Sequence, residues 1–140
     1  MASSLLRLSH MIESISNSAN FHLSQKLLDG AIARQQAIAT NIANVETPGF
    51  RRLDVSADFG RTLRAQFTRA GKADLAMVRS MQPRVSEDPN VRSIRADGNS
   101  VELESELLAM SRNQVDFEFL TEMVGRHIKG LQMAISGRVL

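Results

Sequence analysis

Residues 97–135 read DGNSVELESELLAMSRNQVDFEFLTEMVGRHIKGLQMAI, and their apolar spacing decides the fold class. Leu103, Leu107, Met110, Gln114, Phe117, Thr121, Val124, Ile128, Leu131 and Ile135 step alternately by four and three, and eight of these ten positions are apolar. That is the period of a helix presenting one seam. Asn99 stands where an N-cap is expected, and Glu102, Glu104 and Glu106 put negative charge on the positive end of the dipole. Arg126, His127, Lys129 and Arg138 lie toward the opposite end, where cations are favoured. The spacing predicts one helix over 99–137, roughly 57 Å long at about 1.5 Å per residue. Such a length exceeds what a compact domain of 140 residues accommodates.

A second seam lies upstream. Leu28, Ala31, Gln35, Ile38, Ile42 and Val45 show the same alternation, which predicts a helix from about Ser24 to Asn44. It runs into NIANVETPGF (41–50), where Asn44 suits a helix end and Pro48–Gly49 suits the centre of a type II turn with φ > 0 at Gly49. The two seamed helices pair as an antiparallel hairpin, but the shorter cannot cover the longer. The near end of the long seam, sampled by Leu107, is expected to pack within the chain. Its far end, sampled by Ile128, is left for another subunit.

The organisation is therefore a Ser/Asn-rich flexible tail (1–20), an N-terminal helix (21–47), an irregular middle segment (48–98) and a long C-terminal helix (99–140), as one unit. The fold class is all-α: an elongated coiled-coil-like hairpin with an irregular middle, partly disordered as a monomer. Little can be read from the middle beyond a short helix carrying Phe59, Leu63 and Phe67, then Pro83, Pro89 and Gly98 as breakers.

Composition narrows the function classes. Trp, Tyr and Cys are all absent, which disfavours an aromatic-rich sandwich and excludes disulfides and thiolate chemistry. No stretch approaches the ~20 apolar residues of a membrane span. The N-terminal Leu5, Leu6 and Leu8 are interrupted by Arg7, His10 and Glu13, unlike a cleavable signal. His10, His22 and His127 lie far apart without metal-binding or nucleophile motifs, so no enzyme, metal or cofactor is expected. Ten basic residues face five acidic ones between 51 and 95, yet no recognition helix or stacking motif accompanies them, so nucleic acid is not expected as a partner.

The motif Asn41, Ala43, Asn44, Thr47, Pro48, Gly49, Phe50 resembles the NxANxxTPG[FY] signature of bacterial flagellar rod and hook proteins, and Asp97–Glu104 with Lys129–Leu131 resembles the C-terminus of the proximal rod subunits. The resemblance covers roughly residues 22–59 and 97–136. It implies a non-enzymatic basal-body subunit in the periplasmic rod, exported unfolded by the flagellar type III apparatus without a cleavable signal. Implied partners are other copies of the chain, other rod proteins, membrane-ring or adaptor components at the rod base, and the export apparatus, with no direct membrane insertion. The motif residues would orient the middle segment. Leu28, Ile38, Ile42, Leu103, Leu107, Met110, Phe117, Val124, Ile128, Leu131 and Ile135 would form the assembly seam. A coiled-coil adaptor or secretion chaperone shares the seams but has no need of the turn.

Overall fold

The structure, a computed structural model, describes residues 19–68 and 74–136; of the tail expected at 1–20, residues 1–18 lie outside the described residues, as does the chain end at 137–140, while Ala19 and Asn20 open the first helix. The chain forms α1 (Ala19–Ala43), β1 (Leu53–Val55), α2 (Ala57–Thr68), α3 (Leu75–Ser80), β2 (Val85–Glu87) and α4 (Leu103–Ser136). Helix thus dominates, with long helices at both ends. Among the described residues no helix is long and apolar enough to cross a membrane.

α1 and α4 pack against each other and run in opposite directions. Asn41 meets Glu106 at 3.0 Å, Asn113 donates to the Ala31 carbonyl at 3.0 Å, and the Phe21 ring lies 5.6 Å from His127. Position therefore falls along α1 as it rises along α4. Small residues, Ala31 and Ala37 beside Ile38 and Leu120, let the backbones approach closely. At about 1.5 Å per residue the 25 residues of α1 reach only part of the roughly 51 Å of α4, so the far turns of α4 extend past the Phe21–His127 contact.

The middle segment is more ordered than its composition suggests. β1 and β2 pair antiparallel, Leu53 opposite Glu87 and Val55 opposite Val85. Ser56 N–H to Arg84 O and Asp88 N–H to Arg52 O, both 2.8 Å, extend the pairing at either end. α2 buries Leu63 and lays the Phe59 ring on α1 at Gly30, where an added Cβ would sit 3.0 Å from the ring. α3 is capped by Asp74, whose carboxylate accepts from Met77 N–H, and buries Val78.

α4 begins at Leu103, three residues later than Asn99 as its cap would require. The residue before the helix is Glu102, whose carbonyl accepts from Glu106 N–H at 3.0 Å. Asn99 is unavailable for capping because its side chain is committed to carbonyls just past the end of α1.

Candidate functional site

The turn motif and the entry to α4 form one polar junction. Gly49 has φ +73°, and Phe50 N–H reaches Thr47 O at 3.2 Å, closing the Thr47–Phe50 turn. A second turn at Gly98, φ +83°, stacks on it so closely that a Cβ on Gly98 would lie 3.4 Å from Gly49 Cα. Gly49 N–H donates to Asp97 O at 2.9 Å, and Ser100 N–H to Phe50 O at 3.1 Å. The two loops are thereby zipped together.

Asn99 occupies the centre. Its buried amide Nδ2 donates to the carbonyls of Asn44 (2.9 Å), Val45 (3.1 Å) and Thr47 (2.8 Å), while its Oδ1 accepts from Val101 N–H at 2.7 Å. It ties down three carbonyls just past the end of α1, from more than fifty positions away in the chain. Asn44 serves its own helix instead, donating from Nδ2 to Thr40 O at 2.8 Å.

Beside this sits a buried ionic knot. Asn41, fully buried, pairs with the backbone of Leu53 in both senses: Nδ2 donates to Leu53 O and Oδ1 accepts from Leu53 N–H, each at 2.8 Å. The amide thus continues the β1 ladder onto α1. The same Nδ2 reaches Oε2 of the fully buried Glu106, whose Oε1 accepts from Arg52 Nε at 2.5 Å. Arg52 also pairs with Asp88 and Asp54. Burial pulls against the charged guanidinium, but the hydrogen bond and charge of Glu106, with Asp54 and Asp88, outweigh it and hold Arg52 above its ordinary pKa. Three elements, α1, β1 and α4, are locked by one arginine and one glutamate.

The seam residues are placed unevenly. Ile38 is buried, and Leu28, Ile42, Phe117, Val124 and Leu131 are half-buried. Leu103, Leu107, Met110, Ile128 and Ile135 are exposed, Leu107 and Ile128 at 45%. The expectation that Leu107 packs within the chain does not hold. The line of α4 facing α1 is Glu106, Asn113 and Leu120, with His127 next in the same seven-residue spacing. Asn113 donates to Ala31 O and to Gln35 Oε1 at 2.9 Å; its own Oδ1 is buried without a partner. Sequence reading fixed the phase from apolar side chains and so passed over Glu106 and Asn113. The available signal was a polar residue recurring every seven positions, a familiar register device in paired helices. Arg52, Asp88 and Ser100 carried no comparable signal.

No protein-family model matches the chain. Among curated proteins it is 27% identical over 126 residues to the flagellar basal body rod protein FlgB of Borreliella burgdorferi, covering 80% of this chain and 92% of that protein. It is 25% identical over 138 residues to FlgB of Proteus mirabilis, covering 89% and 98% respectively. FlgB of Salmonella typhimurium gives 25% over 137 residues, covering 85% and 94%. These matches run over 80–89% of this chain and 92–98% of the three proteins, so over most of its length the chain is similar to flagellar basal body rod proteins.

Proposed function

We propose that this chain is a structural, non-enzymatic subunit of the flagellar basal-body rod, polymerising through its terminal helices into the axial shaft that transmits torque. The observation that carries this reading is the apolar face left open on α4, from Leu103, Leu107 and Met110 to Ile128 and Ile135. Large aliphatic side chains contribute about 1.5–3 kcal/mol each when fully buried, and a row of them in the open marks a partner surface. Other copies of the chain, other rod proteins and components at the rod base are the partners this reading names. The type III export apparatus would carry the chain out of the cytoplasm. The turn motif orients the middle segment on the helix pair. In the free chain the coiled-coil-like ends are only partly ordered, because a seam without its partner does not offset about 1–2 kcal/mol per residue of backbone entropy.

Ile128→Asp tests it. The side chain lies beyond the Phe21–His127 contact, so the variant keeps normal levels of exported subunit while rods fail to form. Normal rods from Ile128→Asp would remove the assembly role of α4. Loss of the subunit itself would mean that this part of the seam serves the single chain.

A further inference from the structure

A groove of about 370 Å³ opens between α1, α2 and α4, walled by Leu27, Gly30, Val55, Phe59, Phe119 and Leu120. Val55 and Leu120 are buried, but Leu27 and Phe119 are exposed, so part of the apolar lining meets solvent. Its cations are already engaged: Arg34 with Asp54, and Arg61, on the α2 edge, with Asp58. Asp116 on the α4 wall makes no ion pair among the described residues, not even with Arg112 one turn away. The groove therefore suits an occupant that combines bulky aliphatic groups with one cation.

Residues 1–18 contain that combination. They read LLRL at 5–8, three leucines around the single Arg or Lys of the segment. A straight continuation of α1 gives these leucines no place. Ser24, Ala31 and Ile38 recur every seven positions on the buried face of α1. Leu8 and Ile15 also stand seven apart, but Ile15 precedes Ser24 by nine residues, about two and a half turns, which carries both to the outer face. Folding back is within reach. Leu27 lies eight residues into the chain from Ala19, about 12 Å along α1, and the eleven residues from Leu8 to Ala19 span about 36 Å when extended.

We propose that the N-terminal segment folds back along α1 and seats Leu5–Leu8 in this groove, the leucines against Leu27, Phe59 and Phe119 and the Arg7 guanidinium beside the Asp116 carboxylate. The occupant is the chain's own segment because a short tether holds it at high effective concentration, an advantage no separate molecule shares in dilute solution. Apolar burial supplies the attraction and the Arg7–Asp116 pair sets the register. The segment then covers apolar surface of the single chain, whereas its Ser/Asn-rich composition alone leads one to expect a free tail. The inference goes beyond the rod-subunit reading and does not rest on it.

The chain lacks cysteine, so introduced thiols report on proximity directly. Gly60 lines the groove, and Gly130 lies three residues past the His127 that Phe21 contacts, level with the start of α1; a new Cβ at either meets nothing within 4 Å. In the dilute full-length chain under mild oxidation, Ser9→Cys, next to Leu8, forms an intramolecular disulfide with Gly60→Cys several times faster than with Gly130→Cys. An unplaced tail would reach Gly130 at least as readily, so equal rates, or a faster link to Gly130, overturn the proposal. Disulfide-linked dimers in place of the intramolecular product overturn it too, since the occupant would then be another chain. A charge swap checks the register: Arg7→Glu or Asp116→Lys slows the Gly60 link several-fold, and the two together restore it. Absence of that rescue also overturns the docking. Every readout is taken on the single chain, so its failure leaves the rod reading standing.

Discussion

The two ends of the α1–α4 pair are held by different physics. At the turn end, Asn41, Asn99 and Glu106 are fully buried, and each side chain is bonded to groups on another segment of the chain. At the far end, one ring contact between Phe21 and His127 gives way to Ile128 and Ile135, the latter 60% exposed. Hydrogen bonds and ion pairs are directional, so the first end fixes rotation and register. Apolar burial is non-directional and additive in area, so the second end retains adhesive surface for whatever packs there. One end fixes the geometry of the helix pair, and the other carries open apolar surface, Ile128 and Ile135.

The largest effect is expected from breaking the turn end at its buried charge. Arg52→Met leaves the Glu106 carboxylate buried with only the Asn41 amide, and removing one partner of such a pair costs about 3–5 kcal/mol. Urea unfolding should show the loss directly. Glu106→Gln added to Arg52→Met removes the stranded charge and recovers part of it. A loss under about 1 kcal/mol for Arg52→Met would put the pair in the class of exposed surface bridges and remove the contrast between the ends.

Asn99→Ala comes next. It strips hydrogen bonds from the Asn44, Val45 and Thr47 carbonyls and from Val101 N–H, at about 1–3 kcal/mol for each group that water does not reach. Hydrogen exchange should then quicken at the end of α1 and the start of α4 together, because one side chain serves both. Quickening at α4 alone would return Asn99 to the role of a local cap.

Gly49→Val probes the same end through backbone alone. Nothing lies within 4 Å of the added Cβ, so the cost is that of a β-branched residue at φ +73°, about 1–3 kcal/mol. Gly49→Asn should cost less, since Asn tolerates positive φ. Equal thermal midpoints for the two variants would show that the turn relaxes to another conformation.

These residues also mark what the sequence could disclose. The long helices and the Thr47–Phe50 turn were readable because each depends on neighbours within a few positions: apolar spacing for the helices, and a φ that favours glycine for the turn. Asn99 was misread as a cap for α4 because its actual partners are supplied by tertiary approach. The phase of α4 was misjudged for a related reason, since the line facing α1 includes Glu106 and Asn113, which no hydrophobic template selects. In the middle, β2 is three exposed residues whose pairing with β1 is set by folding across an intervening stretch, 56–84, that includes α2 and α3. Local preference says little about such a strand.

The smallest effect lies at the solvent-facing edge of the turn end and concerns acid. Glu102, just before α4, accepts hydrogen bonds from the hydroxyls of Ser93 (2.6 Å) and Ser105 (3.0 Å). These bonds, first that of Ser93 and then that of Ser105, with the charge of Arg92 adding to them, favour the carboxylate and hold its pKa below the ordinary 4.5. A carboxyl whose pKa is lowered on folding contributes stability above its unfolded value, and that contribution is lost as pH falls through the folded one. The group is open to solvent, so the effect is modest and weakens further with salt. Ser93→Ala should leave the unfolding midpoint less sensitive to pH below 4.5. If Ser93→Ala instead steepened the acid transition, Ser93 would be acting on the protonated form of Glu102, and the sign of this contribution would be reversed.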